Sequence, residues 1–250
     1  MGLDRVFHLP NGLFVSMDDE LPGALMKFFS FWRSLASFRV RIALNLKKLP
    51  AEVVFVDIDA DAHRGDEYRR INPQMALPAL VENDGSVLFQ SVAILEYLEE
   101  THPSPPILPA DAKGRARVRA LALMVACEGH PLLTPRVRRY LDRELNLRDE
   151  QQNAWRRHWT METLTALEGH LAGHKDTGRF CHGDSPTMAD ICMVGHCTVA
   201  LTQQIGLDRW PTVKRIFETC MALPEFASAH PLAQPDTPEA MRAARAGTPR

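Results

Sequence analysis

Apolar residues recur along this chain with two different spacings, and the change from one to the other divides it. Leu25-Met26-Lys27-Phe28-Phe29 is a short apolar run that predicts a buried strand. Leu35, Phe38, Ile42, Leu46 and Leu49 follow at intervals of 3, 4, 4 and 3, which lines one face of a helix. Ser34 stands at its N-cap position, and Lys47-Lys48 place positive charge in its last turn. Val53-Val54-Phe55-Val56 is β-branched and aromatic, hence a second strand. The polar stretch from Gly65 to Ile71 allows a short helix. Ala79-Leu80-Val81 and Val87-Leu88-Phe89 flank Asn83-Asp84-Gly85, a hairpin pattern. Ser91 then caps a helix with Ile94, Leu95 and Leu98 on one face. The order is βαβ followed by ββα, a small mixed α/β domain over residues 25–101.

Residues 102–112 carry Pro103, Pro105, Pro106 and Pro109 and read as a stiff linker. From 113 to 230 the patterns are helical, without a convincing strand. One helix runs through RVRALALMVACEGH, another from about Asp149 to Leu171, and a fourth begins near Trp210-Pro211. Before that last one, Thr187-Met188-Ala189-Asp190 has capping-box spacing, with Asp in place of Glu. Residues 1–24, with turn signals at Pro10-Asn11-Gly12 and Pro22-Gly23, are an N-terminal extension. Residues 231–250, with four prolines, are a C-terminal tail.

Composition narrows the function classes. The 250 residues hold 29 Lys+Arg against 31 Asp+Glu, a formal charge of -2. Nucleic-acid binders usually carry a basic excess, so no nucleic-acid partner is expected. A membrane span needs about 20 consecutive apolar residues, and Leu121–Ala126 falls far short. The N-terminus has no long apolar signal core, and Val6 stands where a myristoylation signal needs Ser or Thr. Five cysteines, odd in number, suggest cytoplasmic thiols rather than a disulfide framework.

Several positions carry candidate chemistry, each with a plainer alternative. Pro78, just before a strand, suits a cis peptide that presents the backbone of Leu77 to an extended peptide, or an ordinary trans proline. Gln90-Ser91 stands at a helix N-terminus, where unpaired N–H groups attract a carboxylate, or Ser91 is a simple cap. Ser34 is placed to lower a thiol pKa, or again to cap. Arg33, Arg39 and Arg41 crowd the first helix start, where they bind a dicarboxylate or form structural pairs. Cys192-x-x-x-His196-Cys197 has no matching pair at a zinc spacing, and fits a core helix, so no metal site is expected.

Taken in order, the motifs resemble one family. Phe31-Trp32-Arg33-Ser34 leads into Arg39-Val40-Arg41-Ile42-Ala43-Leu44. Asn72-Pro73, Leu77-Pro78-Ala79-Leu80, Gln90-Ser91-Val92-Ala93-Ile94-Leu95-Glu96-Tyr97-Leu98 and Leu108-Pro109-Ala110-Asp111 follow. Gly183-Asp184, Thr187-Met188-Ala189-Asp190 and Gln234-Pro235-Asp236-Thr237-Pro238 complete the set. Over residues 25–240 this is similar to the zeta-class glutathione transferases, which include maleylacetoacetate and maleylpyruvate isomerases. The resemblance implies a thioredoxin-like N-terminal domain joined to an all-helical C-terminal domain, in a homodimer that binds glutathione. It implies that Leu77, before a cis Pro78, pairs with the cysteinyl backbone of glutathione. Gln90 and Ser91 would hold its γ-glutamyl carboxylate, and Ser34 would face its sulfur. His130 would contact it from the second domain, and His63 at the glycyl end. Arg33 and Arg136 would bind the substrate, with Arg33 and Ser34 catalytic.

The implied reaction is glutathione-dependent cis–trans isomerisation of a maleyl keto acid. Leu35 and Ala36 replace the family's usual serine and cysteine, and Leu201-Thr202-Gln203-Gln204 lacks an arginine often found there. Those apolar replacements keep open a transferase that conjugates or dehalogenates an apolar electrophile. A non-catalytic interaction protein on the same fold is a third reading.

Overall fold

The computed structural model describes residues 6–8, 14–16 and 25–246. Within the extension, β1 (Val6–His8) pairs antiparallel with β2 (Phe14–Ser16), a hairpin that weak periodicity gave no reason to expect. The two turn signals expected there lie outside the described residues.

A four-stranded sheet organises the first domain, in the order β4-β3-β5-β6. Central β3 (Met26–Ser30) runs parallel to β4 (Ala51–Phe55) and antiparallel to β5 (Ala79–Val81). β5 pairs antiparallel with β6 (Val87–Phe89), which makes the expected hairpin. Alternation along a strand sends neighbours to opposite faces. Phe28 and Leu80 therefore join the larger core with Phe38 and Ile94 of α1 (Leu35–Leu46) and α3 (Ser91–Thr101). Phe29, Ala79 and Val81 face the other way, against Tyr68 and Ile71 of α2 (Asp66–Ile71).

Two helix ends differ from expectation. α1 stops at Leu46, so Lys47 is its C-cap rather than a last-turn surface charge. Lys47 Nζ is fully buried, 2.8 Å from Glu99 Oε2, and donates to the carbonyls of His102 and Pro105 at 2.7 and 3.0 Å. Glu99 also accepts the N–H groups of Ile107 and Leu108. One buried pair thus fixes the proline-rich connection to α1 and α3. At α3 the N-cap is Gln90, with φ of 67°, and Ser91 is the first helical residue rather than the cap.

The second domain is helical. α4 (Ala112–Leu123) continues into a π-helical turn, Met124–Gly129, and a 3₁₀ turn, His130–Leu133. Gly129 is obligatory for this path, because a Cβ there would lie 2.5 Å from Thr163 Oγ1 and 3.0 Å from the His196 ring. A further helix, α5 (Pro135–Arg143), had too few apolar positions to be legible in sequence. α6 (Asp149–Leu171) spans the expected residues. α7 (Met188–Thr202) is buried along most of its length. Its N-terminus carries the capping box: Asp190 accepts the N–H and hydroxyl of Thr187 at 2.8 and 2.6 Å, and the N–H of Cys181 at 2.8 Å. α8 (Pro211–Met221) and α9 (Pro224–Ala229) follow.

The segment after residue 230 is no loose tail. It forms a 3₁₀ turn, Pro231–Ala233, and α10 (Glu239–Ala246). Leu232 packs on the smaller core, Thr237 is buried, and Asp236 accepts the N–H of Trp32 at 2.7 Å. Prolines that stop helices also turned this segment back onto the first domain.

Candidate active site

The turn between β3 and α1 is built from behind. Arg41 is buried and gives Nη1 to Ser30 Oγ and Phe31 O at 3.1 and 3.3 Å, Nη2 to Trp32 O at 3.0 Å and Nε to Ala229 O at 2.9 Å. Burial lowers its pKa to about 9. With Asp236 on the Trp32 N–H, this network sets the path that ends at Ser34. Ser34 is the α1 N-cap, and its Oγ accepts the Ser37 N–H at 3.2 Å. Arg33 is largely exposed, paired with Asp59, and lies over the Phe31 and Trp32 rings at 5.7 and 6.0 Å. The three arginines therefore divide: Arg41 is structural, Arg39 is buried behind α3, and Arg33 reaches the surface.

Asn72 templates the next loop. Its Oδ1 accepts the Gln74 N–H at 3.0 Å, and its Nδ2 donates to Ala76 O at 2.8 Å, where the Tyr68 hydroxyl also donates. The chain then enters the Leu77–Pro78 peptide, which is cis, directly before β5. Gln74, unforeseen in sequence, links the candidates. Gln90 Nε2 donates to Gln74 Oε1 at 2.7 Å, and Arg136 Nη2 donates to Gln74 O at 3.1 Å. Arg136 is thus engaged with the first domain rather than free for an anion.

The N-terminus of α3 has no side-chain cap and no acidic residue in its first turn, so its N–H groups and dipole favour a carboxylate. Ser91 at that end is buried, and its Oγ accepts Arg39 Nη1 at 3.1 Å. His63, in the 3₁₀ turn Ala62–Arg64, is buried, and among the described residues its Nδ1 has no hydrogen-bond partner. Burial lowers its pKa, and Arg139 and Arg136 lower it further against the pull of Asp61. Arg139 Nη2 bonds Asp61 Oδ1 at 2.6 Å, a second tie between α5 and the first domain. His130, half-buried after the π turn, is held well below the usual histidine pKa by burial, and by the charges of Arg39 and His196.

Cys192 and Cys197 are buried on α7, and His196 Nε2 lies 3.2 Å from Thr160 O. A carbonyl only accepts, so Nε2 carries the proton there. Leu35 is buried, and its side chain faces Gly195 of α7, 3.8 Å from where a Cβ would stand.

Sequence inspection missed a second cationic group. Arg156 of α6 is half-buried and, among the described residues, has no hydrogen-bond or ion-pair partner. Burial lowers its pKa, followed by repulsion from Arg138 of α5 and Arg33. Three elements thus bring positive charge together where the domains meet, and among the described residues Asp59, on Arg33, is the one acidic partner of the three. Spacing within one element could not reveal it.

Residues 33–101 match the glutathione S-transferase N-terminal domain family, and residues 123–224 its C-terminal domain family. The chain is 42% identical over 212 residues to a maleylpyruvate isomerase of a Ralstonia species, covering 85% of this chain and all of the relative. It is 40% identical to the holo structure of a maleylpyruvate isomerase described as a bacterial zeta-class glutathione S-transferase, with a TM-score of 0.82 over 85% of this chain and 100% of that one. A maleylacetoacetate isomerase from Methylobacterium extorquens AM1, solved with bound malonate and GSH, is 46% identical at a TM-score of 0.83, over 85% and 99%. With both domains matched and such identity across most of its length, the chain belongs to the zeta-class glutathione transferases.

Proposed function

We propose that this protein is a glutathione-dependent isomerase that converts a maleyl keto acid, such as maleylpyruvate or maleylacetoacetate, to its fumaryl isomer. The observation that carries this reading is a split site. The cis Leu77–Pro78 peptide, the uncapped α3 N-terminus and Ser34 all belong to the first domain, while Arg156 of the second, unpaired among the described residues, feels the charges of Arg138 and Arg33.

These first-domain groups fit glutathione on the chemistry of their donors. The α3 N–H groups with Ser91 suit a carboxylate, and Leu77 offers backbone groups to an extended peptide. The buried, unpartnered His63 Nδ1 suits the glycyl end. Glutathione, when bound, supplies a thiolate that adds to the cis double bond and leaves again once the resulting single bond has rotated.

The remaining work falls to this chain. Ser34 Oγ uses a lone pair to accept the Ser37 N–H, which leaves its own proton to donate toward sulfur. That hydrogen bond and the positive end of α1 favour a thiolate over a thiol. Arg156 and Arg138 hold a substrate carboxylate and stabilise negative charge as it develops on the substrate oxygen. Neutral His130 accepts or donates a hydrogen bond to glutathione without adding charge beside the thiolate.

We place the enzyme as a homodimer. Phe89, 53% exposed on edge strand β6, and exposed Leu123 leave apolar surface for a second copy. Five free thiols suit the reducing cytoplasm. No helix among the described residues is long and apolar enough to cross a membrane.

The test is direct. Maleylpyruvate or maleylacetoacetate is supplied with and without glutathione while the cis and trans acids are separated and quantified. Isomerisation that depends on glutathione is expected. Lack of turnover with either acid, alongside conjugation of an apolar electrophile, would overturn the reading in favour of a simple transferase.

A further inference from the structure

Arg39 is a buried cation with no ion-pair partner among the described residues. It is 3% exposed, and among the described residues it forms one hydrogen bond, from Nη1 to Ser91 Oγ at 3.1 Å. Its Nε is buried and has no partner. The acids of α3 closest in sequence to Ser91 are already engaged: part-exposed Glu96 pairs with Arg119, and buried Glu99 with Lys47. Placing a guanidinium in such a site is costly unless an anion relieves it. The charge is felt by its neighbours, since it depresses the pKa of both His130 and His196.

We propose that Arg39 is a positioning residue for the glutathione carboxylate, acting through Ser91 at the N-terminus of α3; the inference rests on the glutathione reading above. Arginine has only donors, so Ser91 Oγ must accept from it. The single Ser91 proton is then turned away from Arg39, toward the open helix end where a carboxylate docks. The hydrogen bond polarises that hydroxyl, and the buried charge adds to the dipole of α3. Arg39 does not touch the ligand. It decides which way Ser91 points and supplies the charge that the bound carboxylate answers.

The experiment compares binding of two ligands by calorimetry: glutathione, and its analogue with the γ-glutamyl α-carboxylate replaced by a carboxamide. Arg39→Met is expected to weaken glutathione about tenfold and leave the carboxamide analogue within about twofold of wild type. Ser91→Ala added to Arg39→Met is expected to cost nothing further, because the two act as one unit. Arg39→Lys is expected to recover most of the loss. If Arg39→Met does not fold, as judged by circular dichroism, Arg39→Gln takes its place with the same expectations. Equal losses for both ligands, additive losses with Ser91→Ala, or unchanged glutathione binding would overturn the proposal. No glutathione binding by the wild-type protein would overturn the isomerase reading as well, so the two failures are distinguishable.

Discussion

The Ser34 hydroxyl accepts the backbone N–H of Ser37 at 3.2 Å, so the residue that ends one turn and starts α1 keeps its own proton available. Capping and catalysis therefore do not compete for it. Ser34→Ala is expected to lose about 1 kcal/mol of stability from the missing cap. It is also expected to raise the apparent thiol pKa of bound glutathione and slow turnover near neutral pH. A pH–rate profile separates the two effects: loss of the cap alone would leave the profile in place.

Arg156 is half-buried, unpaired among the described residues and repelled by Arg138 and Arg33. Arg156→Met is expected to raise KM for the acidic substrate about tenfold, close to 1.4 kcal/mol, with the KM for glutathione unchanged. Relief of the repulsion is also expected to leave the folded protein as stable or slightly more so. A rise in both KM values together would assign Arg156 to the scaffold. Arg33→Ala, which also frees Asp59, is expected to weaken the acid substrate more than glutathione.

Asp236 ties the C-terminal segment to Trp32. Asp236→Ala leaves the Trp32 N–H without that acceptor and is expected to cost roughly 1–3 kcal/mol. Because Trp32 lies two residues before Ser34, kcat is expected to fall as well. Urea unfolding and steady-state kinetics on one variant check both.

Burial pushes the His196 ring down to about 4 from an ordinary 6.5. The unfolded chain therefore binds a proton at a pH where the folded chain does not, and stability falls as pH drops from about 6.5 through 4. Between pH 7 and 5 this single ring is expected to cost about 2 kcal/mol. His196→Leu is expected to flatten that slope, whatever it does to stability at pH 7. An unchanged slope in paired urea titrations would contradict the assignment.

Much of this was legible before any coordinates. The β3 and β5 runs, the α1 and α3 faces and the Thr187–Asp190 box each lie within one segment, where spacing reports burial. Features that depend on contacts between distant segments were not. Gln74 matters because Gln90 and Arg136 converge on it, and Arg156 because α5 and the β3–α1 turn bring charges near it. Ser91 looked like a cap, yet the structure puts Gln90 in that role and Arg39 behind the serine. Leu35 suggested an apolar site beside the sulfur, but its side chain packs toward Gly195 instead. The exposed, charge-rich α5 carried too few apolar positions to register as a helix at all.

The most direct measurement counts free thiol through a complete conversion. Maleylpyruvate and glutathione are mixed with enzyme until the cis acid is exhausted, and glutathione is then titrated. An isomerase returns every thiol it borrows, so full conversion to the trans acid with the thiol count unchanged is expected. Loss of one thiol for each acid consumed would mean a stable conjugate, and would contradict isomerisation by this protein.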